Sequence, residues 1–128
     1  MKFTTVCICQ IYNELDKGNL KRFFKYAKPL FDAIVVYDDC SSDGSFEYSL
    51  DHADHVIRGT KNDFTDEISH KQNLLGAALK FSPDFIVWMD ADEILTANAT
   101  DKLPTIYQNC IDNDIDGVSL RELNLWRS

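Results

Sequence analysis

An alternation constrains this chain most. Short runs of β-branched and aromatic residues recur between longer amphipathic stretches, the pattern expected of a parallel sheet wrapped by helices. Four strands can be placed, at 3–10 (FTTVCICQ), 33–37 (AIVVY), 55–57 (HVI) and 84–89 (DFIVWM). The first two are apolar enough to be covered on both faces. A fifth stretch, 117–126, alternates Val118, Leu120, Leu123 and Leu125 with polar residues and reads as an edge or antiparallel strand. Helices fill the intervals. One spans 15–26, with Leu15, Leu20, Phe23, Phe24 and Ala27 at helical spacing until Pro29 ends it. A short one covers 45–50. A third runs from a Thr65 cap through Lys80, with Asp66 and Glu67 in the first turn, where the helix dipole favours acids. Its expected buried stripe is Ile68, Leu75, Ala78 and Leu79. The last covers 103–111, with Pro104 in its first turn. The fold class is therefore α/β, a mostly parallel sheet flanked by helices. A length of 128 residues at 45% hydrophobic content makes one domain over 1–128.

Thirteen Lys and Arg against 21 Asp and Glu give a net charge of -8. That balance argues against nucleic acid or an anionic membrane as a general partner, since both need a basic footprint. Phosphate can still be held locally, through a metal. The four cysteines form no disulfide framework: Cys7 and Cys9 share an apolar run, Cys40 lies in a turn and Cys110 in a helical pattern. They read as reduced thiols of a cytosolic protein. The opening MKFTTVCICQIY is too short, too alternating and too poor in small residues for a cleaved signal. No run reaches the ~20 apolar residues of a membrane-spanning helix.

In an open α/β sheet, ligands bind beyond the carboxyl ends of the strands. This chain places acids there repeatedly: Asn13-Glu14 after the first strand, Asp38-Asp39 and then Ser41-Ser42-Asp43-Gly44-Ser45 after the second, Asp90-Ala91-Asp92-Glu93 after the fourth. Residues two apart in an extended segment point the same way, so Asp90 and Asp92 can face one ion. A hard cation, Mn²⁺ or Mg²⁺, takes oxygen ligands and shares substrate phosphates, turning an acidic wall that would repel a diphosphate into one that holds it. A simple helix cap needs only one acid, and three occur in four positions. Glu93 could instead cap, pair or ligate. Asp43 and Gly44 shape a turn that Ser42 or Asp43 caps. Capping leaves the Asp38-Asp39 pair unexplained, whereas binding of a nucleobase imide or ribose hydroxyls would use one of the two. Asn13-Glu14 taken singly is best read as a cap. Cys7 and Cys9 lack a second ligand pair for zinc, His52, His55 and His70 show no metal spacing, and His70 and Lys71 could approach phosphate from a helix flank.

Four segments in order resemble family 2 glycosyltransferases of the Rossmann-like GT-A fold. TVCICQIYNE is similar to that family's first strand; VVYDDCSSDGS to its V-D-D-x-S-x-D-G-[ST] element; HKQNLLGAAL to its R-N-x-x-x-x-A helix; FIVWMDADE to the run ending in D-A-D-[DE]. The resemblance implies that Asp39, or its neighbour Asp38, contacts the base and that Asn13 and Glu14 line the nucleotide pocket. It further implies that Asp90 faces the ribose or metal and that Asp92 ligates the metal. Gln72 stands where the family has Arg, so the cationic contact to the donor is either missing or supplied by Lys71. The implied activity is metal-dependent, inverting transfer from a nucleoside-diphosphate sugar, UDP-linked, to a saccharide or lipid-linked acceptor, as in polysaccharide biosynthesis. The general base is expected beyond Ser128, in an acceptor-side half that this chain lacks. Leu123, Leu125 and Trp126 would then meet that half or another copy. The expected location is cytoplasmic, or peripheral at the inner face of the membrane.

Other readings fit less well. Haloacid-dehalogenase-type phosphatases place Asp-x-Asp after the first strand with Thr two positions on, where this chain has Ile94. Receiver domains put their acidic pair after strand one, and sugar nucleotidyltransferases open with a Gly-rich basic loop unlike Ile11-Tyr12-Asn13-Glu14. A nucleotide-sugar-binding or interaction domain without turnover is the non-enzyme alternative.

Overall fold

A computed structural model describes residues 3–61 and 65–118 of the chain. Strands β1 (Thr5–Ile11), β2 (Ala33–Asp38), β3 (His55–Arg58) and β4 (Phe85–Trp88) alternate with helices α1 (Asn19–Ala27), α2 (Ser45–His52), α3 (Glu67–Leu79) and α4 (Ala99–Asp112). The strands form one parallel sheet in the order β3-β2-β1-β4. This is the α/β architecture that the alternation predicts. The expected fifth strand and its Leu123, Leu125 and Trp126 lie almost wholly outside the described residues.

Side-chain alternation divides the core in two. Cys7, Cys9, Ile11, Ile34 and Val36 face Leu20, Phe23, Phe24, Leu103 and Tyr107 from α1 and α4, with Tyr48 of α2 packed alongside. On the other face Val6, Ile8, Val35 and Tyr37 meet Leu74, Ala77 and Ala78 of α3. The chain steps from β1 to β2 to β3 in one direction and then returns past them to β4. Crossovers of one hand require that a reversal of direction change the face, and α3 lies alone on its side.

Several helix boundaries and one helix face depart from the sequence pattern. Gly18 adopts a left-handed φ of 79°, so α1 starts at Asn19, and Leu15 packs on the core from the preceding turn. In α3 the N-cap is Asp66 rather than Thr65. The buried residues there are His70, Leu74, Ala77 and Ala78; of the expected stripe only Ala78 is inside, while Ile68 is 74% and Leu79 63% exposed. Helix α4 begins four residues early because Ala99 joins Leu103, Tyr107 and Cys110 in one buried stripe, which carries Pro104 into the second turn. All four cysteines are free, and burial pushes the Cys7 and Cys9 thiols well up, as suits core residues.

Candidate functional site

The reversal of strand order sets β1 between β2 and β4, and the chain leaving each of them passes to the same face, into α1 and toward α4, while α3 covers the other. Met89, Asp90, Ala91 and Asp92 follow β4. Met89 and Ala91 are buried in the α1–α4 core while Asp90 and Asp92 are exposed. Both carboxylates are exposed, with Asp92 in a turn rather than in the extended segment that their spacing assumed. A turn ties the segment: the Glu93 N–H donates to the Asp90 carbonyl at 3.0 Å, and the Asp90 N–H donates to Glu93 Oε1 at 2.8 Å. Glu93 therefore closes a turn onto Asp90 and caps no helix, since α4 begins only at Ala99 behind Asn98. Although Asp90 is exposed, partial desolvation by the surrounding protein, with the negative charges of Glu93, Asp92 and Glu67, raises its pKa despite a hydrogen bond from Trp88. Lys71 lies over the Trp88 ring at 4.6 Å from its centroid, which brings a cation toward the same strand end.

The loops after β1 and β2 are latched together. Backbone N–H groups of Asn13 and Leu15 donate to Ser41 Oγ and Ser45 Oγ at 2.9 and 3.0 Å, and those of Glu14 and Asp16 to Ser45 Oγ and Asp43 Oδ2 at 3.1 and 3.0 Å. Ser42 N–H returns a bond to Asn13 Oδ1 at 2.8 Å. Asn13 (φ 50°) and Cys40 (φ 62°) sit in the left-handed region, a strained backbone that these bonds hold. Burial pushes Asp43 up, but donors on Asp16 and Ser45 outweigh it and hold the carboxyl below its usual value. Glu14 accepts a bond from Asn19 Nδ2 at 2.8 Å and lies 3.9 Å from Lys17 Nζ, so it braces the start of α1, but the N-cap there is Gly18 and neither Asn13 nor Glu14 caps the helix.

Asp38 and Asp39 are both wholly buried, on opposite faces. Asp38 Oδ2 accepts the Ser41 N–H at 3.0 Å and lies 4.0 Å from Arg58 Nε, which stacks on Phe46; Oδ1 has no hydrogen-bond partner. Burial raises its pKa, and the Ser41 bonds and Arg58 only partly offset this. Asp39 faces α3, its Oδ1 3.9 Å from His70 Nε2. His70 stacks on Tyr37 with ring centroids 4.3 Å apart, and Gln10 Nε2 donates to its Nδ1 at 3.0 Å, which leaves the neutral ring's proton on Nε2, toward Asp39. Gln10 Oε1 is buried without a partner. Gln10 is a site residue that sequence reasoning did not single out; His70 was read as a flank residue able to approach phosphate, and Ser41 and Ser45 only as parts of a polar turn. The one signal was a polar Gln10 at the end of an apolar strand.

No group of three or more His, Cys, Asp or Glu converges on a metal position among the described residues. A divalent ion fits here only as a two-carboxylate guest of Asp90 and Asp92, its remaining positions filled by phosphate and water, a mode natural to Mg²⁺. The mutual repulsion at Asp90 is the feature that such an ion would relieve.

No protein-family model matches the sequence, and no curated protein matches it. Solved structures of S. aureus TarS do match. One has a TM-score of 0.64 at 16% identity over 93% of this chain and 23% of that one; the other, TarS 1-349, has 0.61 at 18% identity over 93% and 38%. The fold is glycosyltransferase-like. This chain spans well under half the length of those neighbours. Among the described residues no helix is long and apolar enough to cross a membrane.

Proposed function

We propose that this chain forms the nucleotide-sugar-binding half of a family 2-like glycosyltransferase, which moves a sugar from a UDP-linked donor to a saccharide or lipid-linked acceptor with inversion. The observation that carries the reading is Asp90. It is a solvent-facing carboxylate at the carboxyl end of β4, raised in pKa by partial desolvation and by acids placed around it, and such perturbed groups at strand ends mark functional sites. Asp92 and Asp90 would hold Mn²⁺ or Mg²⁺. When bound, the ion supplies positive charge against the diphosphate and the charge that grows on it as it leaves. Lys71 adds a second positive group beside Trp88. Asp39, kept in place by His70 and Gln10, is the acceptor suited to an imide N–H of the base, whereas Asp38 is committed to Arg58 and the Ser41 turn. Asn13 and Glu14 contribute backbone to the pocket wall, fixed by the serine latch.

The alternative is binding without turnover; in both readings Asp38 and Asp39 are completely buried, and a base must uncover them to reach either. Hydrolysis or transfer of a UDP-sugar with added Mn²⁺, compared between wild type and Asp92→Ala, separates the two. Turnover that falls by two orders of magnitude or more in the variant is expected if the ion stabilises the leaving group by about 3 kcal/mol. Equal turnover in both would remove Asp92 from the mechanism.

A further inference from the structure

The cations are unevenly placed. Residues 17–28 hold Lys17, Lys21, Arg22, Lys25 and Lys28 and no acid, in a chain whose net charge is -8. Lys21, Lys25 and Lys28 recur at helical spacing along one side of α1, all three exposed, and none forms an ion pair among the described residues. They line one wall of a cleft of about 230 Å³ whose other wall is Tyr48 and His52 of α2, with Phe24 between. Tyr48 and His52 stack at 4.0 Å and 12°, and His52 Nδ1 donates to the Tyr48 carbonyl at 2.8 Å, so the aromatic wall is set in one orientation. The cleft lies at the ends of α1 and α2 that lead into β2 and β3, at the opposite end of the sheet from Asp90 and Asp92. Lysines near the C-terminus of α1 complement its dipole. That effect reaches Lys25 and Lys28, but accounts neither for Lys21 nor for an acid-free stretch in an acidic protein.

We propose that this cleft binds a sugar phosphate, free or as one unit of an anionic saccharide, with the phosphate against Lys21, Lys25 and Lys28 and the apolar face of the ring against Tyr48 and His52. A membrane surface suits it less. The apolar side of α1, comprising Leu20, Phe23, Phe24 and Ala27, is buried in the core, and the exposed Glu47 and Asp51 of α2 would be pressed against anionic lipid. A narrow ligand lying in the cleft avoids those acids. The inference is independent of the donor site, because the test contains no nucleotide and leaves Asp90 and Asp92 untouched.

Calorimetric titration with glucose 1-phosphate and, separately, inorganic tripolyphosphate provides the test, on wild type, on the Lys21→Ala/Lys25→Ala/Lys28→Ala variant and on a Lys80→Ala/Lys102→Ala control. Both probes are expected to bind wild type and control alike and to bind the triple variant about tenfold or more weakly, as loss of three exposed charge contacts implies. Screening of exposed charges also predicts weaker tripolyphosphate binding at about 200 mM than at about 50 mM salt. Should the triple variant unfold, Lys25→Glu with the wild-type salt series decides. Equal binding by wild type and triple variant, or no binding to wild type, overturns the proposal. Tripolyphosphate binding without glucose 1-phosphate overturns the sugar assignment. Sedimentation with phosphatidylglycerol vesicles that the triple variant loses, without sugar phosphate binding, replaces it with a lipid surface.

Discussion

Asp90 combines most of the site's energetics in one side chain. Its folded pKa lies above the ordinary carboxylate value, so between the two values the native state holds a proton that the unfolded chain has released. Stability from this group is present below the unfolded pKa and lost as pH rises through the raised native value. A cation binds the ionised form, so its stabilising effect grows over that same window. Asp90→Asn removes both effects. The variant should melt no lower than wild type at neutral pH without metal, lose part of the pH dependence above the carboxylate range, and gain less from added Mn²⁺. Thermal unfolding across pH, with and without Mn²⁺, checks this; a lower melting point for the metal-free variant at neutral pH would show that the charge is already compensated. At this scale the carboxylates were legible because strand-end acids stand out against an apolar run. The latch was not. Asn13 meets Ser41, and Gln10 meets His70, across 28 and 60 residues, and no local pattern encodes such pairings.

Among the elements, α3 shows how a helix can be recognised and its face mistaken. Apolar residues lie on two opposite sides: Ile68, Leu75 and Leu79 on one, Leu74 and Ala77 on the other, with Ala78 between. The larger side chains favoured the first side. The chain buries the second, where Ala77 and Ala78 allow close approach to the sheet and His70 reaches Gln10 and Tyr37. Chemical denaturation should find Leu74→Ala costly by about 2–5 kcal/mol, as for a filled core site, and Ile68→Ser within about 0.5 kcal/mol of wild type. The opposite ranking would restore the stripe read from sequence. The strands were easier to place: β1 and β2 are buried on both faces, so their apolar runs are continuous and bounded. Helix starts were harder, since Gly18 ends a pattern that Leu15 continues, and Ala99 is too small to signal a buried face.

For the whole molecule, four alternating pairs of strand and helix told the class of fold but not the order β3-β2-β1-β4, which follows from the handedness of crossovers and the place where the direction reverses. The parallel strands bring the separate acids of the sequence to the carboxyl-end edge of one sheet. They also place the lysine-lined cleft at the far end, so that an acidic protein carries two sites of opposite charge. The central claim is that the crevice binds a nucleoside diphosphate through a metal shared with Asp90 and Asp92. With only two protein carboxylates to hold it, the ion should bind weakly alone and tightly with the nucleotide. Calorimetric titration of UDP, GDP and dTDP with and without Mn²⁺ tests this most directly: UDP binding that appears with Mn²⁺ and falls at least about tenfold without it is predicted, and no binding of any of the three in Mn²⁺ would contradict the account.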